Sequence, residues 1–165
     1  IGELDGSVTE RTRAIGAAFE EAGMHCIVSD NIMGVIWDKL LVNVATGAVC
    51  GITHLPYGDM YEEEKLVACS CAAVQEGMDV AKAAGVKLTY SNPMDVLELA
   101  RAGLPKSFKP SILPSLEKHR PTEVGVINGA VVAQGAKYNV PTPVNETLVA
   151  CVTGIECYIR EYVNK

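Results

Sequence analysis

Lys39 and Asn43 stand four residues apart in the stretch WDKLLVNVATG, residues 37–47. On a helix an ammonium and a carboxamide at that spacing share one face. A charge at the head of such a stretch is either a marker of the surface or a tool. Thr46 and Cys50 continue the same stripe at about 100° per residue. Residues 40–58 hold no Asp, Glu, Lys or Arg. A narrow polar stripe on so apolar a helix must face a cleft, water or another buried polar group. Spacing by itself favours a plainer account: a lysine snorkelling at a helix end over a hydrogen-bonded core asparagine.

A second cluster is RPTEVGVING, residues 120–129. Glu123 is expected to open a helix that stays uncharged until Lys137, with Thr122 as its cap and the helix dipole favouring the acid. Gly125 and Gly129, four apart, would let a neighbouring helix approach closely and so mark this helix as central. An acid there and a lysine on another helix could meet, though a first-turn acid explains Glu123 as well. Ser111, in KPSILPS, reads first as an N-cap. His54 and His119 read as loop histidines, and no Ser-His-Asp or Cys-His arrangement can be argued.

The six cysteines (26, 50, 69, 71, 151 and 157) include no C-x-x-C pair, and the histidines do not complete a zinc-like spacing. No metal site is expected. The thiols sit mostly among Ala and Val, where a small buried hydrophobe is the simpler role, and they imply a reducing, cytoplasmic setting. Neither a G-x-G-x-x-G nor a G-x-x-x-x-G-K-[ST] occurs, so the chain has no phosphate cradle of its own.

These residues need a scaffold. The chain of 165 residues, 48% hydrophobic and 21% charged, is long enough for one domain with a true core. Its net charge of -6 argues against a nucleic-acid footprint. The longest uncharged apolar candidate, LLVNVATGAVCGI, is short of a membrane span. No signal peptide is read at IGELDGSVTERTR, and that opening reads as the middle of a longer protein.

Residues 1–30 read as strand (IGEL), helix (VTERTRAIGAAFEEAG, with Thr9 as cap and Gly23 as stop) and strand (HCIVS), the tail of an α/β unit. From Asp30 onward strand signals nearly vanish. A long buried helix follows, then a turn-rich break at THLPYGD, and a second long helix from MYEEEKL closed by Gly85. Next comes a helix capped by Asn92 with Pro93 at its first position. Two more are read across residues 111–138, bent near Pro121, and a terminal helix covers LVACVTGIECYIREYV. The fold is therefore mainly α, a bundle of about five or six helices.

Taken in order, three stretches resemble the ketopantoate reductase family: WDKLLVN as aromatic-x-K-L-x-x-N, RPTEVGVING as R-x-T-E-x-x-x-I-N-G, and AKYNVPTPVN ahead of the last helix. The likeness runs over nearly all 165 residues and identifies the chain with that family's C-terminal helical domain. The resemblance implies a multi-helix bundle of the 6-phosphogluconate dehydrogenase C-terminal-like type over 31–165. It makes residues 1–30 a short β-α-β remnant of a Rossmann domain. It also implies reduction of 2-dehydropantoate to pantoate, on the route to pantothenate and coenzyme A, with NADPH held mainly by an N-terminal nucleotide domain absent from this chain. Lys39 matches the family's general acid and Glu123 its active-site glutamate. Asn43 and Ser111 match substrate-binding positions, Ser111 toward the substrate carboxylate. Where the family often has a second asparagine this chain has Gly47, a hydrogen bond that Thr46 or water would have to replace.

Two other readings stay open at this point. One is a related 2- or 3-hydroxy acid dehydrogenase domain, which fold analogy cannot separate. The other is a non-catalytic helical dimerisation or ligand-binding module, with Lys39 and Glu123 as a buried structural ion pair. Expected partners are a small 2-oxo acid and the N-terminal Rossmann domain, with neither nucleic acid nor membrane. A homodimer could pair through LVACVTGI, but burial within one subunit explains those residues equally well.

Overall fold

The computed structural model describes residues 1–163. Its centre is the helix that carries Lys39. Asn31 starts it: the side-chain oxygen accepts from the Gly34 amide at 3.3 Å, while its nitrogen donates to the Lys87 carbonyl at 2.8 Å. His54, in a left-handed conformation (φ 58°), ends it. Around this helix, α2 (Ile32–Thr53), pack α3 (Tyr57–Glu62), α4 (Glu64–Ala83), α5 (Pro93–Arg101), α6 (Ile112–Glu117) and α8 (Pro143–Tyr158). Helix α7 (Asn128–Tyr138) lies against α4 and α8, and a π-helical turn, Ile159–Val163, follows α8. The core runs through Leu41, Val44, Ala48, Val74, Leu97 and Val131, every one fully buried.

The fold is mainly α, as the periodicity requires, but it departs from expectation in several places. No strand forms among the described residues. Ile1 donates its terminal amine to the Ile27 carbonyl and accepts from the Ser29 amide, both at 2.8 Å. That is the bonding of a single parallel bridge, and a ladder needs successive pairs. Between these segments α1 (Glu10–Glu21) is capped as read, Thr9 and Thr12 exchanging side chain and amide, and Gly23 lies just beyond it at φ 77°. Helix α1 buries only Thr12 and Gly16, leaving Ile15 and Phe19 about two-fifths exposed.

The break at THLPYGD is shorter than read, because Tyr57 already begins α3. Asn92 and Pro93 start α5 as expected, Asn92 accepting from the Met94 amide at 3.0 Å. The last helix begins earlier than expected, at Pro143, where proline's missing N–H costs nothing. Its Leu148, Val152 and, beyond it, Ile159 are buried within this chain. Of the thiols only Cys50 is buried; Cys26, Cys69 and Cys71 are half-buried, and Cys151 and Cys157 are exposed. Helix α2, at 22 residues, also outruns the 13-residue apolar run. By length and composition it could cross a membrane, and 56% of its most apolar window is buried inside the bundle.

Candidate active site

Four positions one turn apart, Lys39, Asn43, Gly47 and Gly51, form a row along α2. Helix α6 lies across the second half of that row. A Cβ on Gly51 would sit 2.5 Å from Ile112 Cγ2, and one on Gly47 would sit 3.2 Å from Ile112 Cδ1. The row is thus closed at Gly47 and Gly51 and open at Lys39 and Asn43. Lys39 is exposed and Asn43 half-buried. Among the described residues the Lys39 ammonium forms no ion pair and the Asn43 amide no side-chain hydrogen bond, so both groups are unspent. Lys39 borders an open groove of about 440 Å³ walled by Val35, Val42, Tyr90, Leu99 and Leu104. The neighbouring Asp38 accepts from the Thr89 amide at 3.2 Å, which ties the segment after α4 to this part of α2.

The rest of the expected stripe turns inward. Thr46 is 1% exposed and its hydroxyl lies 2.9 Å from the Tyr57 hydroxyl, so it cannot take the place of an asparagine at 47. Burial pushes the Cys50 thiol up to about 12, which leaves it a neutral core group rather than a nucleophile. Gly47 itself has a packing reason. Ile112 occupies the room that a larger side chain would need.

Ser111 and Glu123 come together, though not on the elements expected. Glu123 does not open a helix. It begins a turn in which Val126 and Ile127 donate to its carbonyl at 3.0 Å, and α7 starts only at Asn128. Thr122 caps that turn, accepting from the Val124 amide at 3.3 Å. Gly125 meets nothing within 4 Å and Gly129 only the Val124 carbonyl at 3.4 Å, so these two glycines do not admit a neighbouring helix. Ser111 occupies the N-cap position of α6, but its hydroxyl makes no capping bond. It donates to Glu123 Oε2 at 3.4 Å. Both side chains are exposed. Lys39 and Glu123 form no ion pair and neither is buried, which removes the reading of a buried structural pair.

Sequence reasoning missed the residues that hold this arrangement. Asn128 and Asn145, both fully buried, are joined by a 3.0 Å bond from Asn128 Nδ2 to Asn145 Oδ1. The Glu76 carboxylate of α4 accepts from the amides of Val144 and Asn145 at 2.8 and 3.0 Å, so it caps α8 from a distant helix. Glu156 accepts from the Thr122 amide at 2.6 Å. The sequence signal was that Asn128 stands next to last in RPTEVGVING and Asn145 last in AKYNVPTPVN; Glu76 and Glu156 carried none.

The comparisons with known proteins bear on the family and the fold. A family model described as ketopantoate reductase PanE/ApbA C terminal matches residues 31–156. A 2-dehydropantoate 2-reductase from Archaeoglobus fulgidus is 29% identical over 156 residues, covering 94% of this chain and 52% of that protein. The crystal structure of a PanE/ApbA family ketopantoate reductase from Ralstonia eutropha JMP134 superposes with a TM-score of 0.82 at 31% identity, over 93% of this chain and 51% of that one. A D-mandelate dehydrogenase solved with NADH and anilino(oxo)acetate gives a TM-score of 0.84 over 96% of this chain and 66% of that one; at 24% identity it shows the fold alone. The chain spans about half the length of the curated relatives it matches. The fold first defines a class: a mainly helical chain that superposes on about half of each ketopantoate reductase structure it matches. Within that class the chain belongs to the ketopantoate reductase family and corresponds to its C-terminal domain.

Proposed function

We propose that this chain is the substrate-side domain of a reductase that converts 2-dehydropantoate to pantoate, with Lys39 as the proton donor. One observation carries the reading. Among the described residues the Lys39 ammonium has no ion pair and the Asn43 carboxamide no side-chain hydrogen bond, and they sit one turn apart on the open half of α2. Polar groups left unspent on a rigid element are available to a ligand, and this donor set fits a 2-oxo acid's carbonyl oxygen. It does not fit a dinucleotide: the chain contains no glycine-rich phosphate loop, so NADPH would be held by a separate nucleotide-binding domain.

A reduced nicotinamide, when bound by the separate nucleotide-binding domain, would supply the hydride for the 2-oxo carbon. Lys39 polarises the carbonyl and transfers one ammonium proton to its oxygen as negative charge develops there, then regains a proton from solvent. Asn43 donates from its amide to hold the same end of the substrate. Ser111 has one hydroxyl proton, and it is given to Glu123. Binding a substrate carboxylate at Ser111 therefore requires the hydroxyl to turn from one carboxylate to the other, so Glu123 sets where that hydroxyl rests.

The test is Lys39→Ala in a protein carrying this chain joined to its nucleotide-binding domain, assayed with 2-dehydropantoate and with other 2-oxo acids. Turnover should fall by about 10²- to 10⁴-fold, the range for loss of a general acid, while NADPH binding is retained. Wild-type turnover in that variant would sink the assignment, and a preference for another 2-oxo acid would replace the substrate.

A further inference from the structure

Glu123 lies on an exposed turn, yet both ends of that turn are tied to one helix. At its start the Thr122 amide donates to Glu156 Oε1 of α8 at 2.6 Å. At its end Asn128 donates to Asn145 Oδ1, also of α8, at 3.0 Å. Between the two ties the turn closes on itself through the bonds of Val126 and Ile127 to the Glu123 carbonyl and of the Gly129 amide to the Val124 carbonyl at 2.9 Å. Val124 and Ile127 are buried beneath it, whereas Val126 is 72% exposed.

Helix α8 is itself fixed. Both Asn145 amide protons are used, toward the Ala73 carbonyl at 2.9 Å and Glu76 Oε2 at 2.7 Å. With the two backbone amides that Glu76 accepts, α4 grips the start of α8 through a charge-assisted network. The linkage runs from α4 through α8 to the turn that presents Glu123 beside Ser111.

We propose that Glu156 and Asn145 are positioning residues that hold the Glu123 carboxylate at Ser111, so that α8 sets the geometry of the substrate-carboxylate end of the cleft. The inference rests on the reading of Glu123 and Ser111 as site residues. Glu156 is the more accessible handle, because its one role on the turn is to accept the Thr122 amide. A glutamine there keeps an acceptor oxygen, and an alanine does not.

The experiment compares Glu156→Ala with Glu156→Gln by two readouts. The first is amide hydrogen exchange in this chain. Glu156→Ala should speed exchange at Thr122 and across the turn to Ile127 by about tenfold or more, as loss of a hydrogen bond to a charged acceptor implies, with α2 and α4 unchanged. Glu156→Gln should stay near wild type. The second is steady-state kinetics in the protein joined to its nucleotide-binding domain. There Glu156→Ala should raise the KM for the 2-oxo acid about tenfold with a smaller change in kcat, and Glu156→Gln should restore it. Unchanged exchange in Glu156→Ala, or a glutamine as harmful as the alanine, overturns the proposal. Faster exchange with unchanged KM, in an enzyme that Lys39→Ala still inactivates, overturns the positioning role alone and leaves the proton-donor reading standing. Should Glu156→Ala unfold, Glu156→Asp withdraws the acceptor by one methylene; it must then speed exchange at Thr122, and failure to do so is equally fatal.

Discussion

The two halves of α2 differ as sharply as any two regions of the molecule. From Val44 to Gly51 every position is buried, with Ile112 of α6 set against Gly47 and Gly51. From Ile32 to Asn43 only Gly34, Trp37 and Leu41 are buried, while Val35 and Ile36 stand about half exposed and Lys39 faces solvent. One half of the helix fills space and the other half presents groups. The difference shows how an open site can be precise: the packed half, together with the bonds of Asn31 and Asp38 to the segment after α4, fixes the axis of the half that presents Lys39 and Asn43.

The comparison breaks most readily at Ile112, which closes the row over Gly47 and Gly51. Ile112→Ala removes a fully buried side chain and should cost about 2–5 kcal/mol, read as a lowered denaturant midpoint with unchanged m-value. A loss below about 1 kcal/mol would mean that α6 is not what closes the row. Gly51→Ala comes next. In an exposed helix it would stabilise by about 1 kcal/mol through backbone entropy. Here its Cβ would meet Ile112 Cγ2 at 2.5 Å, so overpacking should reverse the sign and cost about 1–3 kcal/mol. In the Ile112→Ala background the same change should become neutral or stabilising. Additive costs in that double-mutant cycle would show that the two residues do not share the space.

The packed half was the more legible of the two. The apolar run of α2 and the later Asn92-Pro93 start follow from periodicity and caps, which act within a few residues. Residues 1–30 misled because β-branched composition resembles a strand, whereas a strand exists only with a partner ladder; Ile1 finds one bridge here and no more. Glu123 was placed on a helix for a similar reason. Thr122 does cap, but it caps a turn, and a capping side chain looks the same in sequence whichever element follows. Glu76 and Glu156 were illegible because each bonds to backbone more than thirty residues away, where no local pattern reaches. Gly47 looked like a lost hydrogen bond. Only contact with Ile112 shows it to be a packing position.

The smallest expected effect is the most discriminating. Spacing alone favoured Asn43 as a hydrogen-bonded core asparagine and Lys39 as a snorkelling surface charge. A core asparagine cut to alanine strands its former partners, and leaving a buried polar group unsatisfied costs about 1–3 kcal/mol. The structure gives Asn43 no such partner among the described residues. Asn43→Ala should therefore cost nothing, and alanine's better helix propensity should stabilise the domain by a few tenths of a kcal/mol, up to about 0.7. Lys39→Ala should stay within about 0.5 kcal/mol of wild type. Stability should hold or rise in the same variants whose turnover falls, the mark of groups kept for a ligand rather than for the fold. Thermal and denaturant unfolding of the two single variants decides it: a loss above about 1 kcal/mol in Asn43→Ala would return that residue to the core, and with it half of the proposed site.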